Sequence, residues 1–266
     1  MNETKRSAMK AIMKKDIRGI TVNKQLFMTI LVVPLVLALV VPTIFMLTVN
    51  FAPEDAGELK RILQLLPAGD QSGDIRQVFT RLLFLHILPV FFLIIPIMAA
   101  SVMAAASFVG EKEQRTLETL LYCPLTVKQI FYAKVLGAFL FSMLVSWVSF
   151  AAMLLVLETE SFFLNGLLLM PDAGWAAVML LVSPAVSMIA IILIVRGSAK
   201  AQNMMEAQQK AAFLVLPLVL LVAGQFSGIM LLNVWMFAAA GAVLAVLAWS
   251  LLKKSLRNFC YEKLLM

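Results

Sequence analysis

Long apolar runs without charge alternate with short polar connections along this chain, and the run lengths set the elements. Five runs stand out: Leu26–Val49, Leu82–Val109, Val135–Leu157, Trp175–Val195 and Ala211–Leu252. A helix needs about 20 apolar residues to cross about 30 Å of hydrocarbon. The first four runs meet that length once. A straight helix over the fifth would measure about 63 Å, twice the membrane, so that run folds back. Gly224-Gln225-Phe226-Ser227-Gly228 or Asn233 supplies the turn chemistry. The pattern predicts six transmembrane helices, near 26–49, 82–109, 135–157, 175–195, 211–230 and 234–252. An interfacial segment (1–25) precedes them and a tail (253–266) comes after. The first run is too long for a signal-peptide core, which has 7–15 apolar residues.

The polar connections carry patterns of their own. Met9, Ile12, Met13, Ile17 and Ile20 share one face of a helix, with Lys10, Lys14 and Arg18 opposite. That amphipathicity predicts a helix lying on the inner leaflet. Asp16 falls inside the apolar arc and calls for a basic partner. After the second span, Glu111–Tyr122 reads as a short charged helix. Glu111, Arg115 and Glu118 line one side, Leu117, Leu120 and Leu121 another, and Pro124 ends it. Charges of this density are expelled from hydrocarbon, at about 2.5–3.5 kcal/mol each at the bilayer centre. The exposed leucine row then marks a docking element. Thr126-Val-Lys-Gln129 has the form of a capping box and starts the third span's helix. Glu58–Leu66 predicts an amphipathic piece in the first outer loop. Ser161–Met170, apolar but too short to cross, predicts an interfacial or re-entrant turn.

Composition agrees with the pattern. Of 266 residues, 62% are hydrophobic and 14% charged, against about 45–50% and 25% in soluble domains. The chain is an integral membrane protein of the all-α class. Basic residues cluster in the N-terminal stretch, the second-to-third and fourth-to-fifth connections, and the tail. The other side holds only Lys60, Arg61, Arg76 and Arg81 of the 22. By the positive-inside rule both termini are cytosolic. The net charge of +7 is therefore a topology signal and gives no reason to invoke nucleic acid. Cys123 and Cys260 then lie in the cytosol as reduced thiols.

Chemistry inside the membrane is sparse. The predicted spans hold no Asp, Glu, Lys or Arg away from their ends, which argues against a proton- or ion-coupled carrier. An intramembrane enzyme would need a buried nucleophile or metal cluster, and the single histidine, His86, placed near an interface, builds neither. Ser142, Ser146 and Ser149, and Ser183 with Ser187, suit helix packing. Pro34, Pro42, Pro89, Pro96, Pro184 and Pro217 predict kinks. No G-x-x-x-x-G-K-[ST] sequence occurs, so this chain does not cradle ATP phosphates.

Glu111-Lys-Glu-Gln-Arg-Thr-Leu-Glu-Thr-Leu-Leu, then Pro124, Ile130 and Lys134, resembles the signature of type-2 ATP-binding-cassette (ABC) transporter permeases. Arg115 stands where that family usually has Gly, and Ala133 precedes Lys134 where Gly is common. Ala207-Gln208-Gln209 before an apolar run, and the tail Arg257-Asn-Phe-Cys-Tyr-Glu-Lys-Leu-Leu with Tyr261 in place of Arg, extend the likeness. The resemblance implies the type-2 ABC permease fold in the cytoplasmic membrane of a bacterium or archaeon. It implies a permease subunit, not itself an enzyme, that pairs with a second copy or a paralogue. Two separate ATPase subunits would use ATP and magnesium, and this chain would bind no cofactor.

On that likeness Glu111, Lys112, Glu113, Arg115, Thr116, Leu117, Glu118, Leu120, Leu121 and Pro124 form the coupling helix. Ile12, Lys14, Asp16 and Arg18 offer a second ATPase contact. Ser101, Ser107 and Gln225 are candidates for a substrate path along the second and fifth spans. Relatives carry lipids, peptides, drugs and sodium ions, so the substrate is left open. Export is the leading reading, and a non-transporting anchor that recruits an ATPase is the alternative.

Overall fold

A computed structural model describes residues 3–51, 75–114, 116, 125–166, 169–198, 201, 203–226 and 234–258. The described residues form helices: α1 (Glu3–Val22), α2 (Lys24–Thr48), α3 (Thr80–Glu113), α4 (Val127–Asn165), α5 (Ala173–Ser198), α6 (Met204–Ala212), α7 (Val215–Phe226) and α8 (Val234–Asn258). Five are long and apolar enough to cross a membrane: α2, α3, α4, α5 and α8. The 211–252 run divides into α7 and α8, and Ser227–Asn233 between them lies outside the described residues, as does Glu58–Leu66.

Burial sorts the spans into two layers. Along their most apolar 18 residues, about two-thirds of α3 and 72% of α5 are buried by the chain itself, against 17% of α8, so α3 and α5 form the centre. Ala99, Ala100, Ala104 and Ala105 of α3 are inaccessible and meet Ala190, Ile191 and Ile194 of α5 with Phe131, Val135 and Ala138 of α4. Small side chains let these backbones approach closely, which is what drives association where no water remains to expel. At the opposite end Phe84, Phe92, Phe150 and Trp175 form a second cluster, with ring centroids 5.1–5.9 Å apart. Outward, Met28, Val32, Val36 and Val40 on α2 and Leu136, Leu140 and Leu144 on α4 are exposed apolar stripes. Apolar surface inside and out is the mark of a helix bundle solvated by lipid.

Three prolines do more than kink. Pi-helical turns occupy Met28–Val32, Leu83–Ile87 and Val178–Val182, and each ends two residues before a proline: Pro34, Pro89 and Pro184. Proline has no N–H to give to the carbonyl four residues back, and its ring collides with that carbonyl. Those carbonyls belong to Ile30, Leu85 and Leu180, the middle residues of the three turns. Widening the turn relieves the collision. Pro96 and Pro217, in contrast, are third residues of helical segments starting at Ile94 and Val215, where the N–H has no helical partner anyway. Of these six prolines only Pro42 lies inside an uninterrupted α-helix.

Two boundaries depart from the sequence pattern. The first half of the turn predicted at 161–170 instead continues α4, which runs to Asn165 and stops at Gly166 in the left-handed conformation (φ 63°). Nothing between Glu158 and Asn165 breaks a helix, and Gly166 is the first residue that does so cheaply. The second span likewise extends past residue 109 to Glu113. Glu111–Glu113 thus belong to α3. The capping box at Thr126 forms as expected, with Thr126 N–H donating to Gln129 Oε1 at 3.0 Å and Gln129 N–H to Thr126 Oγ1 at 3.4 Å.

Candidate functional site

Helix α1 brings its apolar face against the start of α4. Ile12 is buried with Ile130 and Ala133, flanked by Met9, Met13 and Leu125. Gly137 admits Met13, whose Cγ would lie 3.4 Å from any Cβ placed there. The face predicted to meet the leaflet therefore meets protein, because the first turns of α4 offer it a matching apolar surface. That docking carries Asp16, on the same face, inward.

Asp16 arrives beside Lys134, a lysine with 3% side-chain exposure. Lys134 donates to the Ser107 carbonyl and to Glu111 Oε2 at 2.5 Å, and stands 4.0 Å from Asp16 Oδ2. Ser107 Oγ–H donates to Asp16 Oδ2 at 2.6 Å. The second Glu111 oxygen accepts from Lys15 at 2.8 Å, at the solvent edge. Phe108 lies under the Lys134 ammonium, 5.3 Å from ring centre, an additional attraction for a desolvated cation. Two carboxylates and two ammonium groups thus join α1, the end of α3 and the start of α4. Burial, the largest influence, raises the Asp16 carboxyl above its ordinary 3.8; Lys134's charge and the Ser107 hydroxyl oppose that rise.

The chain leaving α3 folds back onto the same cluster. Gln114 N–H donates to the Gly110 carbonyl, and Thr116 N–H and Oγ1–H both reach the Glu111 carbonyl, at 3.0 and 3.4 Å. Glu111 is therefore the last buried residue of α3 and also the anchor for the chain at Thr116. Its predicted position on a water-facing helix side is corrected: the residue is 7% exposed, because α3 continues through it and Lys134 compensates its charge. Lys112 and Glu113 are progressively more exposed. Arg115, Leu117, Glu118, Leu120, Leu121, Pro124 and Cys123 lie outside the described residues, as do Cys260 and the tail after Asn258.

Of the proposed second contact, Ile12 and Asp16 point into the bundle and Lys14 and Arg18 outward. A surface contact there falls to the two cations alone. The path candidates are not brought together. Ser101 Oγ–H donates to the Ile97 carbonyl of its own helix at 2.6 Å, and Ser107 serves the ion cluster. Gln225 Nε2–H donates to the His86 carbonyl at 3.0 Å, about 31 Å along α3 from Ser107. The expected pathway face of the second span is covered by the chain's own helices, because its alanines pack against α4 and α5.

Other important side chains are legible in the sequence only as fragments. Lys134 stands out there as the last basic residue before the apolar run of α4. Asp172 caps α5 by accepting from Trp175 N–H at 3.1 Å and aims Trp175 inward, where its indole N–H donates to the Phe84 carbonyl at 3.0 Å. Thr43 Oγ1–H donates to Glu160 at 2.8 Å, tying α2 to the far end of α4. Among the described residues no group of three or more His, Cys, Asp or Glu could hold a metal ion.

Residues 10–251 match the profile of a family described as ABC-2 family transporter protein. No curated protein and no solved structure matches the chain.

Proposed function

The chain belongs to the ABC-2 transporter family and is a permease component of an ABC transporter; on that premise we propose that it exports a substrate with energy from separate ATPase subunits. In this reading two ATPases and a second permease subunit complete the complex, and both termini are cytosolic. The segment after Glu113 docks on an ATPase. The observation that carries the reading is the ion cluster. A displacement of that segment arrives first at Glu111, whose carbonyl holds Thr116 and whose carboxylate holds Lys134. Lys134 passes the displacement to α4, and Asp16, bonded to Ser107, passes it to α1. A close-packed core transmits such a shift with little loss, since the helices move as bodies rather than deform.

The positive-inside pattern supports the orientation, and the absence of a phosphate-cradling motif supports the division of labour. The test is a reconstituted complex with its ATPase. Leu117→Asp is expected to abolish permease-dependent stimulation of ATP hydrolysis while the permease stays folded. Full stimulation by that variant would refute the docking assignment. Transport in vesicles separates an exporter from a non-transporting anchor, which would support ATP hydrolysis without moving substrate.

A further inference from the structure

The outward face of α1 meets the ion cluster only at its edge, through Lys15. Ala11, Lys14, Lys15, Arg18, Val22 and Asn23 line an open hollow of about 750 Å³. At 100° per residue this row lies opposite Ile12, Asp16 and Ile20. Lys15 is engaged by Glu111, whereas among the described residues neither Lys14 nor Arg18 has an acidic partner. Val22, at the rim, is 74% exposed and stands two residues before the first span begins at Lys24. Arg18 stands six residues before that start, across the extended backbone of Asn23, which brings it near the headgroups that border a span beginning there. Deeper in, an apolar groove of about 290 Å³ runs over Val32, Val36 and Val40 of the same chain segment.

Cations at headgroup depth, with an apolar furrow at acyl depth beyond them, match one molecule. We propose that the elbow at Asn23 holds an anionic phospholipid, its phosphate between Lys14 and Arg18 and one acyl chain along Val32–Val40. An acidic protein outside the bilayer could answer the cations, but it could not reach the furrow or profit from exposed Val22. Lys15 lines the hollow and also holds Glu111, so the lipid would border directly on the ion cluster. The inference requires only that the chain spans a bilayer and is independent of transport.

Native mass spectrometry of the full chain tests it, in mild detergent with phosphatidylglycerol and phosphatidylcholine at equal mole fraction. Preferential retention of phosphatidylglycerol is expected, falling about five-fold for each of Lys14→Gln and Arg18→Gln at low salt. Lys14→Arg should keep the preference, and Val36→Asn should lower retention of both lipids. Circular dichroism checks that the variants fold, as substitutions of exposed cations should. Equal retention of the two lipids by the unmodified chain overturns the proposal. So does a Lys14→Gln/Arg18→Gln variant that loses ATPase capture yet keeps its lipid preference, which would assign the hollow to a protein partner.

Discussion

Lys134 and Glu111 lie 23 positions apart in sequence and meet at 2.5 Å with both side chains more than nine-tenths buried. The pair closes the gap between two spans whose connection is the segment most like a coupling element. A buried ion pair adds little net stability, since desolvation offsets most of its attraction. What it adds is register. The alternatives, slipping α3 against α4 or rotating α1 away, leave a charge buried alone.

Breaking the pair should therefore cost more than its net worth. Lys134→Met leaves Glu111 and Asp16 facing each other without their buried cation, and a loss of about 3–5 kcal/mol is expected. Thermal unfolding in detergent measures it. Adding Glu111→Gln should recover a large part of the loss, and a double variant no better than additive would remove the coupling between the two residues.

Asp16 gives the cluster a pH dependence of definite sign. Its carboxyl is raised above 3.8 chiefly by burial, so the folded state holds the proton more tightly than the unfolded chain. Its stabilising contribution is complete below 3.8 and is lost as pH rises through the folded value. Against Asp16→Asn, the unmodified protein should lose relative stability from acid towards neutral pH. A melting series of both proteins across that interval checks it, and a relative gain with rising pH would reverse the assignment.

Trp175 tests the Leu83–Ile87 turn. Trp175→Phe keeps a large ring but strands the Phe84 carbonyl, at an expected cost of about 1–3 kcal/mol. Trp175→Ala should cost about 3–5 kcal/mol, because the side chain is 1% exposed. If Trp175→Phe melts like the unmodified protein, the indole hydrogen bond contributes nothing.

Two helical glycines should respond oppositely to alanine. At Gly241 an added Cβ would come within 2.9 Å of Leu181 Cβ, beside the Val178–Val182 turn. Overpacking of about 1–3 kcal/mol outweighs the gain in helix propensity of about 1 kcal/mol, so Gly241→Ala should destabilise. A Cβ added at Gly19 would meet nothing within 4 Å, so Gly19→Ala should stabilise α1 by up to about 1 kcal/mol. Melting temperatures of the two variants decide both signs.

The bundle is largely readable in the chain, and the site is readable only in pieces. Run lengths identify the long helices, and Thr126 with Gln129 announces the start of α4. Asp16 is visible as a misfit in an apolar arc, but not its bond to Ser107, 91 positions away. Proline positions are equally visible, yet three of them produce wide turns. Two carbonyls of the Leu83–Ile87 turn are taken up by Trp175 and Gln225, partners that no local pattern reveals.

Sequence alone determined which residues leave water and which stay near it, because transfer free energy accumulates residue by residue without reference to partners. That settled the membrane class, the long helices and the uneven distribution of basic residues. Tertiary structure decided which helices stand at the centre, that Glu111 turns inward, and that α1 spends its apolar face on α4. Those outcomes depend on pairings between distant segments, where a charge is tolerable only if its complement arrives in the same place.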